Sequence, residues 1–226
     1  MKISQAGRRP VIDSNTGYEY SHAHFAAQSP RVLLLHSVLG VGTNYFPCDA
    51  SKIPRLEALL TTDEFVHVSA FPSLLRLVVS GALLPALASA ETVSGLRFHR
   101  VIDNAPLELD GDALWTALNF QLVHLLDFLP IADWRVEIDR DMFLFNFAAL
   151  HALLVAKGKL EATVNLDLAE TRVAPYDRYD RDSKRLTLGD LIRDYVPTAV
   201  QVAIGKKEVA RYSRAIGHSL DFSVAA

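Results

Sequence analysis

Cysteine is nearly missing: Cys48 is the single one among 226 residues. One thiol excludes an intrachain disulfide and a zinc cage of thiolates within one chain. A reducing compartment suits such a chain. A surplus of one charge is missing as well, with 23 Lys and Arg against 26 Asp and Glu, a net charge of −3. General nucleic-acid binding needs extra cations for phosphate contacts and is not expected. The first ten residues contain no apolar h-region, so a secretory signal is not expected. No unbroken apolar run reaches the roughly 20 residues that a membrane span requires. The longest contender, Leu74 to Ala90, is interrupted by Arg76, Gly81 and Pro85. A cytoplasmic or particle-associated protein is the expectation, with no membrane partner.

Catalytic signatures also lack parts. The strained G-x-S-x-G elbow of α/β-hydrolases does not occur. Gly40-Val-Gly42 lacks the third glycine of a dinucleotide loop, and no Gly-Lys-Ser/Thr follows it. Cys48 paired with a distant histidine carries no weight, because eight histidines make some such pair unavoidable. His36, His124, His151 and Asn146 read as core residues whose polar atoms find partners. No cofactor is expected, and the reading leans against an enzyme.

What the chain does have is apolar residues, half of the total, against 22% charged. That is enough for a rich core in one domain. The most strongly patterned stretch runs from Ala132 to Leu168. Trp134, Val136 and Ile138 alternate with Arg135, Glu137 and Asp139, and Leu160 to Leu168 alternates with Lys159 to Asp167. Period two predicts two strands, each with one buried face. Between them, an apolar run from Met142 to Ala156 follows Asp141 and ends at Lys157-Gly158, which predicts a helix.

The remaining elements follow the same logic. Residues 1–17 are polar and turn-rich, and read as an N-terminal arm. Residues 18–226 form the domain. Strands are predicted at Tyr18–Phe25, Arg31–Leu39, Phe65–Phe71, Leu96–Ile102, Val200–Ile204 and within Ala215–Val224. Helices are predicted near Lys52–Thr61, from Pro72 to Ala90 with a break at Gly81 or Pro85, at Ala113–Leu129 capped by Asp110 or Asp112, and at Thr187–Tyr195. The fold class expected is α+β: one domain with a mixed, largely antiparallel sheet and helices packed mainly on one face. A doubly wound α/β fold, suggested by the continuous run at Val32–Leu39, is the alternative.

For function, the absence of any complete catalytic motif points to a non-enzymatic assembly or interaction protein, such as a subunit of a phage-like particle or secretion machine. It would form homo-oligomers or bind other protein subunits. Three helices apolar nearly all round demand more cover than a chain this size supplies, so surplus apolar surface should meet another copy. Leu83 and Leu84, in the broken Leu74–Leu87 segment, are the candidates for that contact. The loop Tyr176–Arg185 is dense in both charges, and Tyr176, Arg178, Tyr179 and Arg181 could form a recognition rim. The alternative function is a small metal-dependent hydrolase. On a strand, His22 and His24 would share a face and could hold one metal ion.

Overall fold

The computed structural model describes residues 14–41, 44–126, 142–164 and 198–226. The fold is α+β. Among the described residues, eight α-helices surround one apolar core: α1 Ser14–His24, α2 Arg31–Leu35, α3 Ile53–Leu59, α4 Thr62–Ser80, α5 Leu83–Ser89, α6 Gly111–Leu126, α7 Met142–Ala156 and α8 Thr198–Ala215. In the same residues three strands, β1 Gly95–His99, β2 Pro106–Asp110 and β3 Ser223–Ala225, form an antiparallel sheet in the order β2-β1-β3. Leu96, Phe98 and Leu109 on one face enter the core. On the other face Arg97 and Glu108 sit opposite each other and form an exposed bidentate pair, at 3.0 and 3.2 Å.

Helix α6 is the centre of the packing. Asp110 Oδ1 accepts from the Ala113 N–H at 2.8 Å and caps its start. Leu114, Trp115, Leu118, Phe120, Leu122, Val123 and Leu125 are all buried. The helix packs against α1, α2, α4, α7 and the sheet. Two of its buried polar residues, Asn119 and Gln121, bind neighbouring chain segments. Asn119 Nδ2 donates to Trp115 O and Lys159 O, and its Oδ1 accepts from Glu161 N and Ala162 N, all within 2.8–2.9 Å. Gln121 Nε2 donates to Phe71 O.

Four predicted strands are helical. Tyr18–Phe25 lies mostly in α1, where Gly17, Ser21 and Phe25 are buried at i, i+4 and i+8. Small residues on that face let α1 sit close to α2 and α6. The apolar run at 31–39 is α2 followed by a turn, so the stretch that suggested a doubly wound sheet contains no strand. Phe65–Phe71 belongs to α4. That helix starts at a capping box, in which Glu64 N donates to Thr61 Oγ1 and Thr61 N to Glu64 Oε2. Pro72, expected to open a helix, lies inside it. Val200–Ile204 belongs to α8.

The described part of the alternating run 159–168, residues 159–164, is not a strand. Ala162 and Val164 are nevertheless buried, and Glu161 and Thr163 exposed, as the alternation predicts. The partner is not a sheet: Asn119 supplies the hydrogen bonds, together with His24, whose carbonyl accepts from Thr163 N at 2.7 Å. The predicted strand 134–139, residues 165–168 and the predicted helix 187–195 lie outside the described residues.

Other expectations match. The apolar stretch after Pro72 breaks at Gly81, which caps α4 in the left-handed conformation (φ 72°). A side chain there would also collide with Lys206, since a Cβ would stand 2.3 Å from its Cε. The two helices meet at 82°. Among the described residues, no single helix is long and apolar enough to cross a membrane; α4 and α5 are so in length and composition only together, as this bent pair.

Candidate interaction surface

Helix α8 lies against α4 and α7 and has two unlike faces. Val209 and Ser213 point inward and are buried. Val200, Ala203, Ile204, Lys207 and Arg211 are exposed, and their spacing of 3, 1, 3 and 4 residues puts them on one outward stripe. The N-terminal half of that stripe is apolar, with Val200 and Ile204 each 47% exposed. Its C-terminal half is cationic. There Arg211 pairs with Glu208, and its guanidinium lies 4.5 Å from the centroid of the Tyr212 ring. Val155 on α7, the helix beside α8, is exposed as well.

The residues singled out from the sequence fall elsewhere. Leu83 is fully buried and Leu84 is 8% exposed, both inside the core. They cover the chain itself and offer no surface to a second copy. The bend at Gly81 folds α5 back under α4 instead of turning it outward. Tyr176, Arg178, Tyr179 and Arg181 lie outside the described residues. His22 and His24 are two positions apart on a helix, where such residues do not face each other. The shared strand face that would have aimed both at one ion is therefore missing. His24 Nδ1–H donates to Thr163 O at 2.9 Å, a clasp between α1 and the 159–164 segment, while His22 is exposed. Among the described residues, no group of three or more His, Cys, Asp or Glu side chains converges as metal ligands would. Cys48 lines a shallow concavity of about 490 Å³ with Phe46, Asp49 and Ile102.

Two buried polar centres were not predicted as groups. In the first, the His36 ring lies 4.5 Å from that of His124 and 5.1 Å from Phe71, while His67 lies 5.4 Å from Phe120. Burial holds the imidazoles of His36, His67 and His124 below their ordinary pKa, and for His124 the nearby His36 adds to the effect. All three are neutral at pH 7 and act as flat, weakly polar core rings. His36 Nδ1–H donates to Leu33 O, as a core histidine should.

The second centre is built on Arg76, 1% exposed, in the middle of α4. Its Nη1 donates to Ser213 Oγ at 3.2 Å and its Nη2 to Asn44 Oδ1 at 3.0 Å. Asn44 Nδ2 in turn donates to Tyr212 O. Burial lowers the Arg76 pKa to about 10, which leaves it charged at pH 7. His218 adjoins this centre, its Nδ1 3.2 Å from Ser213 Oγ and its Nε2 3.0 Å from His99 O. The Ser213–His218 pair has the atoms of a nucleophile and a base. Both are buried, however, and the serine hydroxyl already accepts from Arg76, so the arrangement ties elements together and offers no attacking oxygen to a substrate.

Glu64 shows how charge serves the fold here. It is buried at the start of α4, accepting from Ser29 Oγ at 2.6 Å, Arg31 Nη1 at 3.0 Å and Thr61 N at 3.0 Å. Burial alone would raise its pKa; these donors outweigh it and hold the carboxyl below its usual range. Comparison with protein-family models, with curated proteins and with solved structures finds no match to this chain.

Proposed function

We propose that the chain is a non-enzymatic assembly protein that associates with a second copy of itself through the outward stripe of α8. The observation that carries this reading is the division of that stripe into an apolar half, Val200, Ala203 and Ile204, and a cationic half, Lys207 and Arg211. Two copies crossing antiparallel at the apolar halves would remove those side chains from water. The cationic halves would then diverge to opposite ends, where like charges do not meet. Such a contact is isologous: the same patch serves both partners. It is the kind of contact that a particle or secretion-machine subunit uses. Tyr176, Arg178, Tyr179 and Arg181 are proposed as further interface residues, by composition alone.

Ile204→Asp tests the reading. The side chain is half exposed, so the fold should survive, with a melting temperature close to that of the wild type. Wild-type protein at micromolar concentration should scatter light as a dimer or larger species, and the variant as a monomer. A monomeric wild type would overturn the proposal.

A further inference from the structure

Helix α8 ends at Gly217 (φ 70°), where His218 N–H donates to Ser213 O and Gly217 N–H to Arg214 O. This is a Schellman closure, and it turns the chain sharply enough to drive His218 back into the body beside its own helix. His218 is 6% exposed. The segment beyond it runs to β3, which pairs with β1 through Gly95–Ala225, Leu96–Val224 and Arg97–Ser223. Leu220, Phe222 and Val224 pack against the core but stay partly exposed. Ser219 N donates to Asn104 Oδ1 at 2.9 Å.

The hydrogen bonds around His218 permit one tautomer. His99 O is a carbonyl and can only accept, so Nε2 carries the hydrogen. Nδ1 is then an acceptor and takes the Ser213 hydroxyl hydrogen. That leaves the Ser213 oxygen to accept from Arg76 Nη1. The chain of donors runs Arg76 to Ser213 to His218 to His99, across α4, α8, the C-terminal segment and β1. The Ser213 to His218 link requires neutral imidazole; the bond from Nε2 to His99 O forms in either state. A proton on Nδ1 removes the acceptor and places a second cation beside buried Arg76.

We propose that His218 is a pH-sensitive latch: neutral, it straps the C-terminal segment and β3 onto the body; protonated, it releases them and frees the β1 edge. The charged and titratable groups around it favour release. Burial is the largest influence and disfavours a charge on His218; the bond to His99 O opposes it, while Arg76 from α4 and the His99 ring from β1 add to it, and the balance holds the imidazole below its ordinary pKa. From α8, Ser213 is its hydrogen-bond partner, while Arg211 and Arg214 are exposed. The carboxylates of the adjoining segments are engaged elsewhere, Asp103 by Arg100 and Asp221 by Ser219 Oγ. For a group whose folded pKa lies below its unfolded value, the stabilisation is complete above the unfolded value, about 6.5, and fades as pH falls beneath it.

Amide hydrogen exchange on the full chain, from about pH 8 to about pH 5, tests the latch. Protection normalised for intrinsic rates should fall on the order of tenfold per pH unit below the ordinary imidazole value at residues 219–226. It should fall less at Leu118, Phe120 and Leu122 of α6, which report the global stability alone. In H218Q, whose amide can still donate to His99 O but cannot titrate, the excess pH dependence of 219–226 over α6 should vanish. Should that variant fail to fold, ring titration of His218 in the wild type gives a second reading, with a midpoint below the ordinary value that coincides with the loss of protection. Flat protection at 219–226, an equal loss across α6, an unchanged pH dependence in H218Q, or a ring that titrates without loss of protection would each overturn the proposal.

Discussion

Helices α6 and α8 are close in length, 16 and 18 residues, and opposite in what they do with apolar side chains. Helix α6 is apolar nearly all round and covered nearly all round, and its polar atoms hold other segments in place. Helix α8 buries Val209 and Ser213 on one side and leaves Val200 and Ile204 half exposed on the other. A helix wrapped by its own chain is finished as a structural element. A helix with an uncovered apolar half is finished only by something else, and that difference locates the proposed contact on α8.

The sharpest way to break the comparison is to place the same charge on each side of it. Leu83→Asp puts a carboxylate where no water reaches, at a cost of several kcal/mol, on the order of the whole stability margin. The protein should fail to fold, read as loss of the cooperative thermal transition. Ile204→Asp should keep that transition. A folded Leu83→Asp variant would mean that α5 is not core.

Asn119→Leu sharpens the view that the polar groups of α6 are structural. The substitution strands Lys159 O, Glu161 N and Ala162 N without their partner. A loss of about 3 kcal/mol is expected in chemical denaturation, since each buried group left unpaired costs about 1–3 kcal/mol and some will reach water. An unchanged midpoint would show that the 159–164 segment holds itself in place.

Acid should act on the histidine centre beside α6. His36, His67 and His124 all have folded pKa values depressed by burial, so their neutral forms favour the fold. Their contribution is complete above about pH 6.5 and diminishes as pH falls below it. Denaturation midpoints should therefore drop between pH 7 and pH 5. Unlike release of the His218 latch, this loss is global. Smallest of the four effects is Thr61→Ala, which removes one half of the capping box on α4 and should cost about 1 kcal/mol in the same assay.

How much of this was legible depended on whether the deciding contact was local. Helix α6 was readable because Asp110 caps it and its apolar run is long. The break at Gly81 was readable because a left-handed cap favours glycine. Helices α1, the first half of α4 and the start of α8 read as strands because aromatic and β-branched residues recur in them, and α2 because its apolar run is unbroken; packing overrides both signals. Two signals went unread. Thr61-x-x-Glu64 is a capping box, and it marks the true start of α4 eleven residues before Pro72. Strand β2 was hidden by Pro106 and by its brevity; a proline at the first position of an edge strand is compatible with pairing.

The candidate surface was half readable. Val200 and Ile204 at i and i+4, set against Val209 and Ser213 at the same spacing, would have marked the two faces of α8 had the segment been read as a helix. Leu83 and Leu84 were misjudged for a different reason. Composition showed surplus apolar surface, but which helices are enclosed depends on how α5 folds back at Gly81, and no local pattern encodes that. The Arg76–Ser213–His218 chain joins residues up to 142 positions apart, and its members are polar residues without a common motif.

Sedimentation velocity of the wild type and of Ile204→Asp at micromolar concentration tests the central claim most directly. The account predicts a dimer or larger species for the wild type and a folded monomer for the variant. A monomeric wild type, or a variant that associates as the wild type does, would contradict it.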